Sequence, residues 1–237
     1  MLKGKVAIIT GGTKGIGYAV AKAMLQEGMK VAITGRSQVT ADEAAKALGH
    51  SDQVIGIEAD VRNYDSQQSV VTSVLEKWGR LDAMIANAGV GHFVNIEEMT
   101  AEQWQEVIDV NLTGVFFSTK AALTALKESK GYLITISSLA GTNFFATGAA
   151  YNASKFGVVG FSQAVMLDVR SAGVKVTTIM PGSVATHFND HPVTEKEAWK
   201  IQPVDLGQMV IDLLKMNPRT LPSKIEVRPS FPPSASK

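Results

Sequence analysis

A short apolar segment, Val6-Ala7-Ile8-Ile9-Thr10, runs straight into Gly11-Gly12-Thr13-Lys14-Gly15-Ile16-Gly17, and this junction narrows the possible folds more than any other stretch. Its length, apolar character and β-branching mark Val6 to Thr10 as a strand buried on both faces. After the glycines, Ile16, Ala19, Val20, Ala23 and Met24 recur at helical spacing, Gly28 closes the helix, and Lys30 to Gly35 forms a second buried strand. Strand, glycine turn, helix and strand within about thirty residues is a βαβ unit, the kind whose first turn cradles a dinucleotide. The glycines let backbone approach a pyrophosphate, whose charge is favoured by the N–H groups at a helix start. The spacing Gly11, Gly15, Gly17 differs from the common G-x-G-x-x-G fingerprint, and such turns also serve plain packing, so the rest of the chain has to support the reading.

The alternation continues. Gln53 to Glu58 reads as a strand, Asp65 to Trp78 as a helix closed by Gly79, and Asp82 to Ala86 as a strand leading into Asn87-Ala88-Gly89. Thr100 to Gln103 has the form of a capping box and starts a long helical stretch toward Ser129. Gly131 to Ser137 and Val174 to Met180 are further strands, Val204 to Met216 a last helix, and Lys224 to Arg228 a last strand. The pattern predicts one α/β domain over 1–237, a doubly wound, mostly parallel sheet of the Rossmann type.

Composition excludes several functions. With 23 Lys+Arg against 22 Asp+Glu the net charge is +1, which gives no footprint for nucleic acid. There are 0 Cys, so disulfides and thiolate metal sites are ruled out, in keeping with a cytoplasmic setting. No apolar run approaches the ~20 residues of a membrane span.

Chemistry concentrates at Tyr151-Asn152-Ala153-Ser154-Lys155, which opens an apolar-patterned helical segment. Four residues apart on a helix, Tyr151 and Lys155 share a face. A free phenol titrates near pH ~10, too high for an efficient proton shuttle at neutrality. A nearby ammonium favours the phenolate, and Ser138, arriving from a strand end, can hold a carbonyl or alcohol oxygen beside it. On spacing alone, a tyrosine and a lysine that merely face water are the better fit, and the rest of the chain has to decide.

Thr10 to Gly17, Asp60, Asn87-Ala88-Gly89, Asn111, Ser138, Tyr151 to Lys155 and Pro181-Gly182 together occur in an order and spacing that resembles the short-chain dehydrogenase/reductase family, over about Val6 to Thr186. The resemblance implies hydride transfer between a nicotinamide and a carbonyl or alcohol carbon. Tyr151 would be the general acid or base, and Lys155 would lower its pKa and bind the nicotinamide ribose. Ser138 would hold and polarise the substrate oxygen, with Ser137 structural. Asn111 would act through its backbone carbonyl, holding a water that links Lys155 to solvent. Gly11, Thr13, Gly15, Ile16 and Gly17 would cradle the cofactor; Asp60 and Val61 would meet the adenine; Asn87, Ala88 and Gly89 would line it from the fourth strand. Pro181, Gly182, Val184 and Thr186 would flank the nicotinamide.

Charge selects the form of the cofactor. Thr34-Gly35-Arg36-Ser37 ends the second strand without the acid that usually meets the ribose hydroxyls of NAD(H). Arg36 can grip a 2′-phosphate with a fork of donors and Lys14 adds a second positive charge, which favours NADP(H); Ser37 joins them, and Gly35 is expected to leave room for the phosphate.

The family's substrate lid would fall at 187–202. His187 and His191 there are four apart, yet without cysteine and with Pro192 following they read as loop residues, and no metal is expected. Phe144, Phe145 and Phe188 are candidates for an apolar substrate pocket. A proline-rich tail from about residue 229 to 237 departs from the tail of the fatty-acid-synthesis reductases, which counts against their tetramer and favours a homodimer through the Asn111 and Tyr151 helices, with a homotetramer as the alternative. The expected substrate is a small carbonyl compound or an acyl thioester, the latter as in 3-oxoacyl-[acyl-carrier-protein] reductases. An oxidative alcohol dehydrogenase and a non-catalytic NADP-sensing regulator are the competing readings.

Overall fold

A computed structural model describes residues 1–49, 52–186, 188 and 194–231. Seven parallel strands form one sheet in the order β3-β2-β1-β4-β5-β6-β7. They are β1 (Val6–Ile9), β2 (Lys30–Gly35), β3 (Val54–Glu58), β4 (Ala83–Ala86), β5 (Tyr132–Ile136), β6 (Lys175–Pro181) and β7 (Lys224–Val227). Between them run α1 (Gly15–Gln26), α2 (Gln38–Leu48), α3 (Tyr64–Trp78), α4 (Ala101–Ile108), α5 (Gly114–Ser129), α6 (Ala149–Val169) and α7 (Pro203–Lys215).

Alternation along the strands splits the core in two. Ala7 and Ile9 of β1 face α1, α2 and α7, where Val20, Met24, Leu48 and Leu206 close over them. Val6 and Ile8 face α3, α5 and α6, meeting Val70, Val74, Ala122 and Leu126. The inner strands β1, β4 and β5 are therefore fully buried, as a sheet covered on both faces requires, while β3 and β7 at the two edges stay partly exposed. The fold expected from the sequence is present, with strand limits shifted by a residue or two.

Two elements were not anticipated. Helix α2 buries only Ala41, Ala44, Ala45 and Leu48, a helical spacing written mainly in alanine. It packs so close to β3 that a Cβ on Gly56 would stand 2.3 Å from the Ala41 carbonyl oxygen. The second is a π-helical segment, Asp109–Thr113, joining α4 to α5 and holding Asn111 fully buried.

The sheet order reverses between β1 and β4, so their following loops part and open a crevice at the strand carboxyl ends, the place where open α/β sheets hold ligands.

Candidate active site

The crevice is a cleft of about 1510 Å³ running from the start of α2 across the glycine turn to Tyr151. Its floor depends on two close approaches. Gly11 has φ +63°, and a Cβ there would lie 2.9 Å from the Ala88 Cα. A Cβ on Gly17 would stand 2.5 Å from the Gly11 carbonyl oxygen, so Gly17 lies behind the turn as a packing residue and does not face the cleft. The loops after β1 and β4 are tied together by side chains. The Thr10 hydroxyl accepts from the amides of Asn87 and Ala88 at 3.0 and 3.2 Å, and the Asn87 amide donates to the carbonyls of Thr10 and Gly11.

Thr13, Lys14, Gly15, Ile16, Arg36 and Ser37 form the wall toward α2, with Asp60 and Val61 behind them. Ser37 caps α2 by position, but its side chain makes no capping bond. The Arg62 guanidinium, hydrogen-bonded to Asp60 at 2.6 Å, holds that carboxylate below its usual pKa. Gly35 lines the cleft, and a Cβ there would meet the Thr13 methyl at 2.8 Å, so the missing side chain also makes way for Thr13. An acid also stands nearby, carried by β3 and not by β2. Glu58 pairs with Gly35 across the sheet and accepts from the Gln38 amide at 3.0 Å, at the first turn of α2.

At the other end, α6 and β5 converge. Tyr151 and Lys155 lie in the first turns of α6, and Ser138 follows β5. Lys155 is 4% exposed; its amine donates to the Ile136 carbonyl at 3.1 Å and stands 5.6 Å from the Tyr151 ring centre. Burial pushes the Lys155 amine down to about 8. Burial pushes the Tyr151 phenol up, and a hydrogen bond with Ser138 pulls it partly back. The net direction is opposite to the lowering by Lys155 that the resemblance implies, because loss of water around the phenol is the dominant effect. Ser137 is structural, its hydroxyl donating to the Lys155 carbonyl at 3.0 Å.

Asn111 does not line the cleft. Its side chain accepts from the Val90 amide at 2.8 Å and donates to the Val90 carbonyl and the Ser154 hydroxyl, fastening the loop after β4 to α6. Pro181, Gly182, Val184 and Thr186 complete the wall from β6.

The sequence reading passed over Phe93, which lies edge-on to Tyr151 with ring centres 5.4 Å apart. It also contacts Phe145 and Phe188, so two phenylalanines, Phe93 and Phe188, border the tyrosine and Phe145 backs Phe93; Phe144 stands apart and is 86% exposed. Nothing in residue spacing marks Phe93, since only the fold brings the loop after β4 to α6. His187 and His191 lie outside the described residues, among which no group of three or more His, Cys, Asp or Glu is placed to hold a metal. No helix among them is long and apolar enough to cross a membrane.

A glycine cradle, two cations near a helix start and a Tyr–Lys–Ser cluster at one sheet edge match the short chain dehydrogenase family, whose pattern fits residues 5–197. The chain belongs to that family. Among short-chain dehydrogenases it is 37% identical over 193 residues to a 3-oxoacyl-[acyl-carrier-protein] reductase of Synechocystis, covering 80% of this chain and 78% of that protein. It is equally 37% identical to an NADP-dependent (R)-specific alcohol dehydrogenase of Lentilactobacillus kefiri, over 80% of this chain and 77% of that one. A solved alcohol dehydrogenase from the archaeon Thermococcus sibiricus, complexed with 5-hydroxy-NADP, superposes with a TM-score of 0.89 at 30% identity, covering 96% and 97% of the two chains. As a short-chain dehydrogenase the protein is an oxidoreductase, built on the single Rossmann-type domain its sequence predicts.

Proposed function

We propose that the protein is an NADPH-dependent reductase of a small carbonyl compound, acyl thioesters included. The carrying observation is the Ser138–Tyr151–Lys155 cluster, in which the phenol meets Ser138 and the buried Lys155 amine stands 5.6 Å from the tyrosine ring centre. Such a phenol gives its proton to an oxygen that gains charge in reduction and takes it back in oxidation. Reduction is favoured by the Arg36 and Lys14 charges, which suit NADPH.

The cleft fits a dinucleotide: it is about 1510 Å³, Gly11 and Gly15 line it beside Lys14 and Arg36, and the buried Thr34 hydroxyl on its wall has no protein partner. When bound, the nicotinamide supplies the hydride. Ser138 holds the substrate oxygen, Tyr151 delivers the proton to it, and Lys155 binds the ribose and keeps its positive charge beside the phenol. Arg36 and Lys14 receive the 2′-phosphate, a preference supported by the NADP named for two of the relatives. The segment 187–202 serves as the lid, supported by Phe188 against Tyr151. The exposed apolar face of α5 and α6 is where copies associate, as a homodimer or a homotetramer. The absence of cysteine agrees with work in the cytoplasm.

The test is loss of reduced-nicotinamide absorbance with NADPH and then NADH, using a short β-ketoacyl thioester and a panel of small ketones. Tyr151→Phe is expected to lower turnover by about 10³-fold or more while NADPH binding, read by fluorescence, stays within about twofold. Arg36→Asp is expected to weaken NADPH by about tenfold or more and NADH far less. Equal losses for the two cofactors would remove Arg36 from the phosphate site, and full activity in Tyr151→Phe would remove the mechanism.

A further inference from the structure

A second cleft, about 550 Å³, opens on the far side of Ser138. Ser138, Gly182 and Ser183 line both cavities, so a group held at Ser138 stands at the threshold between them. Its volume lies within the usual range for small-molecule sites, about 300–1,000 Å³. Its apolar walls are Leu139, Phe144, Phe145, Trp199, Pro229 and Phe231, and Arg228 lines it too. Phe144 is 86% exposed and Phe231 68% exposed, and aromatic rings left this open and gathered on one groove signal a missing occupant. Two of these wall residues follow β7, where the chain leaves the sheet and turns back toward the active site.

Arg228 supplies the only guanidinium among the residues lining this cleft. One of its N–H groups donates to Glu226 at 2.9 Å, and both side chains are about half exposed, so the pair is weak and donors remain for an anion. By contrast, Phe93 and Phe188 stand against the Tyr151 ring on the side of the main cleft, with no charged side chain between them and the ring.

We infer that this second cleft is a substrate subsite, and that the enzyme takes a carbonyl compound bearing an apolar, ring-containing arm that ends in a carboxylate. The carbonyl sits at Ser138 and Tyr151, the arm lies between Phe144, Trp199 and Phe231, and the carboxylate meets Arg228. The inference deepens the reductase reading and rests on it for the position of the carbonyl.

Three ketones test it with the full chain and NADPH: benzylacetone carrying a para-carboxylate, the methyl ester of that compound, and butanone. The carboxylate is expected to exceed its ester in kcat/KM by about tenfold, as a charge-assisted bond at a half-exposed site allows. Arg228→Gln should bring that ratio to about one, whereas Glu226→Gln, which frees the guanidinium, should raise it. Phe231→Ala should lower kcat/KM for both aryl ketones relative to butanone. In parallel, calorimetry on the protein loaded with NADP⁺ should show the carboxylate binding about tenfold more weakly to Arg228→Gln than to the wild type. Turnover of butanone with no carboxylate preference, or a preference that survives Arg228→Gln, overturns the subsite and leaves the reductase standing. If no ketone is reduced, the reductase reading fails on these compounds and calorimetry decides alone. Arg228-dependent binding then upholds the subsite, and its absence overturns it, leaving the aromatic rim to a protein partner.

Discussion

Lys155 carries a cost that the folded protein retains. Its amine, 4% exposed with one carbonyl partner, is pushed down to about 8, whereas in the unfolded chain a lysine holds its proton to about 10.4. Between those values the unfolded state binds a proton that the folded state has released, so stability of the cofactor-free protein rises with pH across that window. Below pH ~8 the contribution is absent, because both states are protonated and the charge must be buried. Lys155→Met is therefore expected to stabilise the cofactor-free protein at pH 7 by on the order of 1–3 kcal/mol, after allowing about 1 kcal/mol for the stranded Ile136 carbonyl. The gain should shrink toward pH 10. Urea unfolding at the two pH values reads this directly, and a variant less stable than wild type at pH 7 would sink it. The same titration should place a fall in the rate of ketone reduction near pH 8, where the ammonium beside the phenol is lost. Tyr151 keeps its proton through that range, since burial raises its pKa, and so contributes no break of its own below pH ~10.

At the scale of elements, the start of α2 decides how well a 2′-phosphate is received. Arg36 and Ser37 stand there, yet the Gln38 amide is already engaged by Glu58, which faces the helix end like a built-in anion. Gln38 answers with its side chain, accepting from the Glu58 amide at 2.8 Å and donating to the Gly56 carbonyl, so β3 and α2 are locked together. Glu58→Gln keeps an acceptor for the Gln38 amide and removes the charge. It is expected to tighten NADPH by about two- to fivefold and to leave NADH nearly unchanged, the size expected of one exposed charge near a phosphate. Titration of the two cofactors against the variant measures it, and a matched change in both would mean that only the geometry of α2 had moved. Glu58 also marks the limit of what the sequence disclosed. The β1–α1–β2 unit was legible because Val6 to Ile9 and Val31 to Ile33 are unbroken apolar runs with glycines close by. The capping box at Thr100 and Gln103 was legible because local chemistry alone sets it, and both its bonds are present. Helix α2 was harder to see because alanine gives its buried face little hydrophobic contrast. The reach of Glu58, the latch from Asn111 to Val90 and the approach of Phe93 to Tyr151 all depend on strand order, which no local pattern encodes.

For the molecule as a whole, the unpartnered surface lies where α5 and α6 run together. Leu112 fits against Gly157, Phe116 meets Phe161 edge-on with ring centres 6.2 Å apart, and Gly160 faces open space. Phe116 and Phe156 each remain 44% exposed, with Leu167 at 56% farther along α6. Large apolar side chains left this open on two adjacent helices are costly in a monomer, and a net charge of +1 offers little to keep copies apart. The same helices carry the chemistry. Helix α5 starts where the π-helical segment of Asn111 ends, and Phe156 directly follows Lys155. Association would therefore brace the residues that position the active site. Light scattering on the native protein is expected to give the mass of a dimer or tetramer, and replacing both Phe116 and Phe156 by Glu should shift it to the monomer. Specific activity of that variant should fall with the loss of assembly while circular dichroism shows the sheet intact. For the wild type, activity per protomer should drop on dilution at the same concentrations at which the mass falls. A native mass equal to one chain, or a dissociated variant with unchanged kcat, would separate the surface from catalysis and leave the α5–α6 face without a role in either.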